Sequence, residues 1–225
     1  MERVKEMPSK SDQVDAELIW GWLGARSIAR GLPQPVREHG GMRLDTGLPS
    51  EIRRYVFPGP VSGIRQLASS ITTSRIYIKI CGSGEQLLAL VTPQWRLQPQ
   101  AYLMTHDGVC NTTPILPPGY RLEKFIENHI AVVRIVDDDG SLAASGYAVE
   151  YGGVFIFDRI VTEATHQHRG LGKALMTALG ATQRSNASRR VLVATEAGRA
   201  LYSALGWTLQ SPYSTVVIED HKNRS

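Results

Sequence analysis

The order of apolar and polar residues predicts a mixture of helices and strands in the first half of the chain. Residues 16–30 carry apolar side chains at helical spacing, and Gly31 is placed to end that helix. A second helix is predicted over residues 50–57, with Ser50 as N-cap, and a third over residues 62–71. Strands are predicted over residues 42–45, 75–80, 86–92 and 100–105.

The second half shows a more regular strand pattern. Four consecutive segments are rich in β-branched and aromatic residues and are separated by short turns, which is typical of antiparallel strands. A continuous apolar run at residues 190–194 indicates a strand in the middle of a sheet. The predicted strands of this half cover residues 120–127, 130–136, 142–151, 154–161, 190–194, 207–210 and 214–218.

Two helices interrupt these strands, over residues 170–184 and 198–205, and Gly206 follows the second as a C′ glycine. A segment rich in proline and turn residues, 111–119, separates the two halves. The pattern therefore predicts an α+β fold built on a mixed sheet. Its predicted units are a disordered N-terminus at 1–14, an N-terminal lobe at 15–110 and a second domain at 119–219.

Composition narrows the class of protein. The chain has 225 residues, of which 42% are hydrophobic and 20% charged, and its net charge of +4 is not gathered into runs. No nucleic-acid partner is therefore expected, and the mild positive charge weighs against a polycationic substrate. No apolar run is long enough to span a membrane and no signal peptide is apparent, so we expect a cytoplasmic protein without a membrane partner. Cys81 and Cys110 are expected to be unpaired core or loop residues.

The segment from His166 to Met176 carries the most chemistry. Gly170 and Gly172 lie two residues apart where an apolar-periodic helix begins, so backbone N–H groups can approach an anion closely and the helix dipole favours its charge. Arg169 and Lys173 add cationic donors. The local prediction is a pyrophosphate cradle; the alternative is a glycine-rich turn with a cationic surface.

This segment resembles the GCN5-related N-acetyltransferase (GNAT) superfamily, in which Gln/Arg-x-x-Gly-x-Gly/Ala holds the pyrophosphate of acetyl-CoA. Here Gln167, Gly170 and Gly172 match that signature. The resemblance implies a GNAT acyl-CoA N-acyltransferase fold with acetyl-CoA (coenzyme A) as cofactor. The residues that it implies for cofactor binding are Ile160, Val161, Thr162, Gln167, His168, Arg169, Gly170, Leu171, Gly172, Lys173 and Thr195.

A second segment, residues 200–207, resembles the Ala-x-x-Leu-Tyr-x-x-x-Gly-Phe stretch of the same family. The resemblance implies that Tyr202 protonates the departing CoA thiolate, whereas a helix tyrosine can also be buried for packing alone. A general base is harder to assign. Glu163, Glu196 and Asp158 are candidates, and Asp158 is the predicted base because its position on the strand could face the acceptor. No metal site is expected.

The first half is predicted to be a degenerate GNAT-like lobe that closes the acceptor pocket, so that the chain is a tandem of two GNAT-like units. Together these features predict acetyl transfer to a primary amine of a small molecule or peptide, by a monomer or homodimer. Two alternatives remain: a non-catalytic acyl-CoA-binding regulatory module and an unrelated nucleotide-binding or protein-interaction domain. The residues expected to line the acceptor pocket are Trp20, Trp22, Arg53, Arg54, Tyr55 and Trp95.

Overall fold

A computed structural model describes residues 13–108 and 113–219. Cys110 and nearly all of the segment predicted to be disordered, 1–14, lie outside these residues. Along the chain, the described elements are α1 (Ala16–Ala29), β1 (Val36–Glu38), β2 (Gly41–Leu48), β3 (Glu51–Phe57), α2 (Gly63–Ser70), β4 (Ile76–Cys81), α3 (Gly84–Leu88), β5 (Trp95–Leu97), β6 (Ala101–His106), β7 (Tyr120–Glu127), β8 (Ile130–Asp137), β9 (Leu142–Tyr151), β10 (Val154–Thr162), a 3-10 turn (Ala164–His166), α4 (Leu171–Gly180), β11 (Arg189–Thr195), α5 (Glu196–Ala204) and β12 (Thr208–Ile218).

All twelve described strands join one mixed sheet. Its order is β1-β2-β3-β4-β12-β6-β11-β10-β9-β8-β7, and the short β5 pairs with β12 at one side. Most neighbours are antiparallel, but β3 with β4 and β10 with β11 are parallel pairs. A helix crosses over between the strands of each parallel pair, as parallel neighbours require. The predicted α+β fold with a mixed sheet is confirmed.

The sheet shows that the two halves repeat one plan. In the first half β3, α2 and β4 are followed by α3 and end in β6; in the second half β10, α4 and β11 are followed by α5 and end in β12. The last strand of each half is exchanged: β6 pairs with β11, β12 pairs with β4, and the two pair with each other. This internal repeat supports the tandem interpretation.

Helix α1 crosses from the first half onto the second. It packs on β9 and β10, and its buried residues Leu18, Ile19, Trp22 and Leu23 share one core with Val154 and Ile156 of β10. Gly21 makes this approach close, because a Cβ atom there would lie 2.6 Å from the carbonyl oxygen of Gly152. Two other cores lie beneath α4 and beneath α2.

Two elements differ from the sequence prediction. Residues 50–57 were predicted to be helical but form β3, in which Val56 and Phe57 are both fully buried between neighbouring strands. Residues 86–92 were predicted to be a strand, but the first of them belong to α3, which begins at Gly84 with a capping box between Ser83 and Gln86.

The remaining differences are smaller. The helix predicted over 170–184 ends at Gly180, and the two predicted closing strands are one strand, β12, with a bulge between Leu209 and Ser211. Strands β1 and β5 were not predicted. The helices α1, α2 and α5 and the strands from β7 to β11 agree with the sequence pattern.

The close contact at Gly21 yields a stability prediction. Alanine favours a helix interior over glycine by about 1 kcal/mol. Because the added methyl group would meet a backbone oxygen, we expect Gly21→Ala nevertheless to lower the free energy of unfolding, by about 1–3 kcal/mol. Urea denaturation measures this, and a variant as stable as the wild type would contradict the packing of α1 on the β9–β10 turn.

Candidate functional site

Strands β10 and β11 part halfway along their length. They pair at Val154, Phe155 and Ile156, and no pairing follows toward the C-terminal ends. Strand β10 continues to Thr162 on β9 alone, with a bulge between Asp158 and Val161 that places Arg159 at φ 53°. The edge of β10 that faces β11 therefore presents main-chain groups without a strand partner, and a cleft opens between the two strands.

The start of α4 lies at one end of this cleft. Its N-cap, Gly170, has φ 80° and ψ 0°, and no side chain caps the helix. A Cβ atom on Gly170 would meet nothing within 4 Å, so the space in front of the helix is open. The first-turn N–H groups thus face open space, which is the arrangement that binds phosphate at a helix start. A cavity of about 420 Å³ lies here, lined by Thr162, Gln167, His168, Gly170, Leu171, Gly172, Lys173 and neighbouring residues.

A second cavity of about 370 Å³ lies at the other end of the cleft. Both cavities are lined by Ile160, Gly198 and Tyr202, so the three residues mark where the two spaces meet. The first half of the chain contributes Trp22, Arg26, Arg30, Lys79 and Ala101 to the second cavity.

Tyr202 lies on α5 with 8% of its surface exposed. Burial raises the pKa of its phenol to about 12, so the hydroxyl is protonated at neutral pH. Its ring packs at the edge of Trp207, and a Cβ atom on Gly198 would lie only 3.2 Å from it. The side chain is therefore held in place beside both cavities as a neutral proton donor.

Most of the residues predicted to bind the cofactor meet along the first cavity. Val161 and Arg169 lie outside both cavities, and the Arg169 guanidinium donates to the Tyr120 hydroxyl at 2.9 Å. Thr195 lines the second cavity instead and caps α5 by accepting from the Gly198 N–H at 3.2 Å. The Gln167 amide donates to the Thr162 carbonyl at 3.3 Å, which joins the cradle to β10.

The contacts of Asp158 weigh against its predicted role as a base. Arg30 donates to both carboxylate oxygens, at 2.6 and 2.8 Å, and Arg26 lies 3.5 Å away. Burial opposes ionisation, but the hydrogen bonds from Arg30 and the charges of Arg26, Arg30 and Arg159 outweigh it and lower the pKa of Asp158 below its ordinary value. A carboxylate with its oxygens occupied and its pKa lowered is a weak proton acceptor.

Of the six residues expected to line an acceptor pocket, only Trp22 lines the second cavity in the described part of the chain. Tyr55 and Trp95 belong to the core beneath α2, and Arg53 is paired with Asp45. Arg26 and Arg30 were not predicted from the sequence to line a site. Their signal is a stripe on α1, because Trp22, Arg26 and Arg30 follow each other at intervals of four residues and share one helix face.

In the first half, the positions equivalent to the cleft and to the start of α4 are filled. Strands β3 and β4 stay paired over five residues, from Arg53–Ile76 to Phe57–Ile80, so no cleft separates them. A Cβ atom on Gly63, at the start of α2, would lie 2.7 Å from the His39 carbonyl oxygen, where the corresponding space before α4 is open. Parted strands beside an open helix start are thus found once in the described residues.

The family description "Acetyltransferase (GNAT) domain" matches residues 127–209, which include the parted strands, the cradle and Tyr202. Residues 127–209 therefore match a GNAT domain. A comparison with curated protein sequences finds no match.

Solved structures share the fold of the whole chain, not of the GNAT domain alone. A GCN5-related N-acetyltransferase from Kribbella flavida is 13% identical with a TM-score of 0.64, over 93% of this chain and 98% of its own. A putative GNAT-family acetyltransferase from Novosphingobium aromaticivorans is 16% identical with a TM-score of 0.53, over 89% and 97%. A tandem GNAT protein from the clavulanic acid biosynthesis pathway is 14% identical with a TM-score of 0.53, over 80% and 79%. At these identities the likeness shows the GNAT fold and supports its tandem form.

None of the helices in the described ranges is long and apolar enough to cross a membrane.

The ion pair between the GNAT domain and α1 yields a second stability prediction. The side chains of Asp158 and Arg30 are 10% and 29% exposed, so we expect Asp158→Asn to cost about 2 kcal/mol of unfolding free energy at pH 7. Because folding lowers the pKa of Asp158, the stabilisation is full above its unfolded pKa and is lost as the pH falls through the folded value.

The exposed pair of Glu17 and Arg37 offers the control. Its side chains are 67% and 55% exposed, and Glu17→Gln should change stability by less than about 1 kcal/mol. Chemical denaturation between pH 3 and 7 measures both variants. A constant difference between wild type and Asp158→Asn across that range would contradict the proposed linkage.

Proposed function

We propose that this protein transfers an acetyl group from acetyl-CoA to the primary amine of a small molecule or peptide. The observation that carries the proposal is the parting of β10 and β11, which joins the open cradle at Gly170 to a second cavity beside Tyr202. One end suits an anionic cofactor and the other can receive an acceptor. Acyl transfer in general is what the GNAT fold supports.

The residues of the cleft fit coenzyme A. The first-turn N–H groups of α4 would hold the pyrophosphate, with Lys173 as a cationic neighbour. The unpaired edge of β10 at Ile160–Thr162 would hydrogen-bond the pantetheine amides, as a missing strand would. When bound, acetyl-CoA supplies a thioester whose acyl carbon an amine can attack.

Tyr202 is the proposed general acid. It lines both cavities, and its high pKa keeps the hydroxyl protonated at neutral pH. This hydroxyl would hydrogen-bond the sulfur as the thioester breaks and donate its proton to the leaving thiolate, and the phenolate that remains would regain a proton from solvent. Asp158, by contrast, is proposed to act as a fixed anion that positions Arg30 and Arg26 at the wall of the second cavity.

A carboxylate in the cradle tests the cofactor site. Gly170→Asp places a negative charge where the pyrophosphate is proposed to lie, so we expect at least a hundredfold loss of acetyl-CoA affinity, measured by calorimetry. Gly153→Asp is a matched control, because Gly153 also has a positive φ, 75°, and open space around its Cβ position, but lies in the β9–β10 turn. Equal binding by wild type and Gly170→Asp would refute the cradle.

The phenol is tested by Tyr202→Phe. We expect kcat to fall by about 10² with acetyl-CoA affinity unchanged, because only proton donation to the thiolate is removed. Release of the CoA thiol in the presence of an amine measures the rate, and Tyr151→Phe on the exposed end of β9 is the control. Tight acetyl-CoA binding without thiol release for any amine would instead indicate a non-catalytic acyl-CoA-binding module.

A further inference from the structure

The cavity beside Tyr202 has more positive than negative charge in its walls. Arg26, Arg30, Lys79 and Arg159 line it, and Asp158 is its only carboxylate among the described residues. Arg30 takes up that carboxylate through two hydrogen bonds. Arg26 shares this carboxylate at the longer distance of 3.5 Å, and Lys79 has no ion pair among the described residues, so these two cations are the more weakly compensated ones.

The charge of Arg159 is stabilised by other groups of the protein. Its guanidinium lies 3.5 Å from the centre of the Tyr147 ring and donates to the Ala29 carbonyl. Stacking and a backbone acceptor stabilise it without a ligand. Arg159 therefore anchors the bulge of β10 to α1.

Lys79 has no carboxylate within ion-pairing distance in the part of the chain that the structure describes. Its ammonium lies 3.4 Å from the Thr215 hydroxyl and 5.0 Å from the centre of the Tyr77 ring. Burial is the main reason that its pKa falls to about 7; Glu51 opposes the fall, while Arg54, Arg26 and Arg30 add to it. The pKa of Arg26 is also lowered, to about 10, because burial and the charges of Arg54 and Arg30 outweigh the opposing effects of Asp158 and Tyr213.

A neutral donor lies in the same wall. Tyr213 is 4% exposed, lines the cavity, and its buried hydroxyl has no hydrogen-bond partner among the described residues. Buried polar atoms are rarely left unpaired, and such an atom in a ligand cavity calls for a partner that arrives with the ligand. The Tyr213 ring is fixed edge-on to Trp22, with 5.5 Å between centroids.

We propose that the acceptor is an amine that also carries a carboxylate, such as an amino acid, and that Arg26, Lys79 and Tyr213 bind this carboxylate. The inference rests on the proposed acetyl transfer and adds the acceptor's class. The carboxylate would supply the negative charge that the wall lacks and an acceptor for the Tyr213 hydroxyl. The acceptor's amine would then lie toward Tyr202, at the opening shared with the cofactor cleft.

Charge predicts a pH dependence for this binding. Lys79 is faced by Arg26 and Arg30 from α1, by Glu51 and Arg54 from β3, by Tyr77 from its own strand, and by Tyr213 and Thr215 from β12. A bound carboxylate favours the protonated form of Lys79, so binding takes up a proton near neutral pH. Carboxylate affinity should therefore fall as the pH rises from 7 to 9 in the wild type, and less so in Lys79→Met.

Binding of product-like probes tests the proposal without turnover. N-acetylglycine and N-acetylalanine are titrated against the protein with CoA present, beside their carboxamides, which have nearly the same size and no charge. We expect the acids to bind at least tenfold more tightly than the amides. Arg26→Met and Lys79→Met should abolish that preference, and Tyr213→Phe should reduce it. Arg65→Met and Lys124→Met, which remove exposed cations, serve as controls.

Stability separates misfolding from loss of binding. Arg26→Met and Lys79→Met remove weakly paired cations, so we expect thermal midpoints no lower than that of the wild type. Should Arg26→Met fail to fold, Lys79→Met and Tyr213→Phe still decide the outcome. Equal binding of acids and amides, with CoA binding intact, would overturn the acceptor class and leave acetyl transfer standing.

Two further arms complete the test. Loss of acetyl-CoA binding itself would refute the proposed function, and with it this inference. Aminoethyl phosphate is compared with β-alanine as acetyl acceptor in the thiol-release assay. Faster acetylation of aminoethyl phosphate would show that the site recognises a phosphate and would contradict the proposed carboxylate. Faster acetylation of β-alanine would support the carboxylate.

Discussion

The ladder between β6 and β12 joins the two halves of the chain, and the rest of the architecture depends on it. Each strand is the last of its own half, and each lies against a central strand of the other half, β11 or β4. Neither half can complete its sheet alone, because its last strand pairs with a central strand of the other half. The exchange brings Lys79 of β4 and Tyr213 of β12 to the same cavity as the parted strands of the second half.

The two halves share a plan but use it differently. In the second half, β10 and β11 separate after three residue pairs and Gly170 leaves open space before α4. In the first half, β3 and β4 stay paired and the His39 carbonyl occupies the space beside Gly63. A sheet gains backbone hydrogen bonds when strands stay together, so the first half has the structure expected without a ligand to accommodate. Residues of the first half instead form part of the wall of the cavity beside Tyr202.

The sequence predicts much of the second half because its signals are local. Alternation in β7 to β10 and the glycines at 170 and 172 act within a few residues of where they stand. The errors lie where distant contacts override local preference. Residues 50–57 have apolar spacing that suits a helix, yet β2 and β4 pair with them on both sides. The wall of the second cavity was also beyond local reasoning, because Arg30 and Asp158 are 128 residues apart in sequence.

The charges of that wall are costly for the folded protein itself. Burial lowers the pKa values of Arg26 and Lys79, which means that folding opposes their charged forms. Apolar residues at these two positions would fold with less opposition, since Asp158 already has Arg30 as its partner. The interaction that offsets this cost is therefore expected from outside the chain, and an anionic group on the acceptor is the partner that fits both cations and the unpaired hydroxyl of Tyr213.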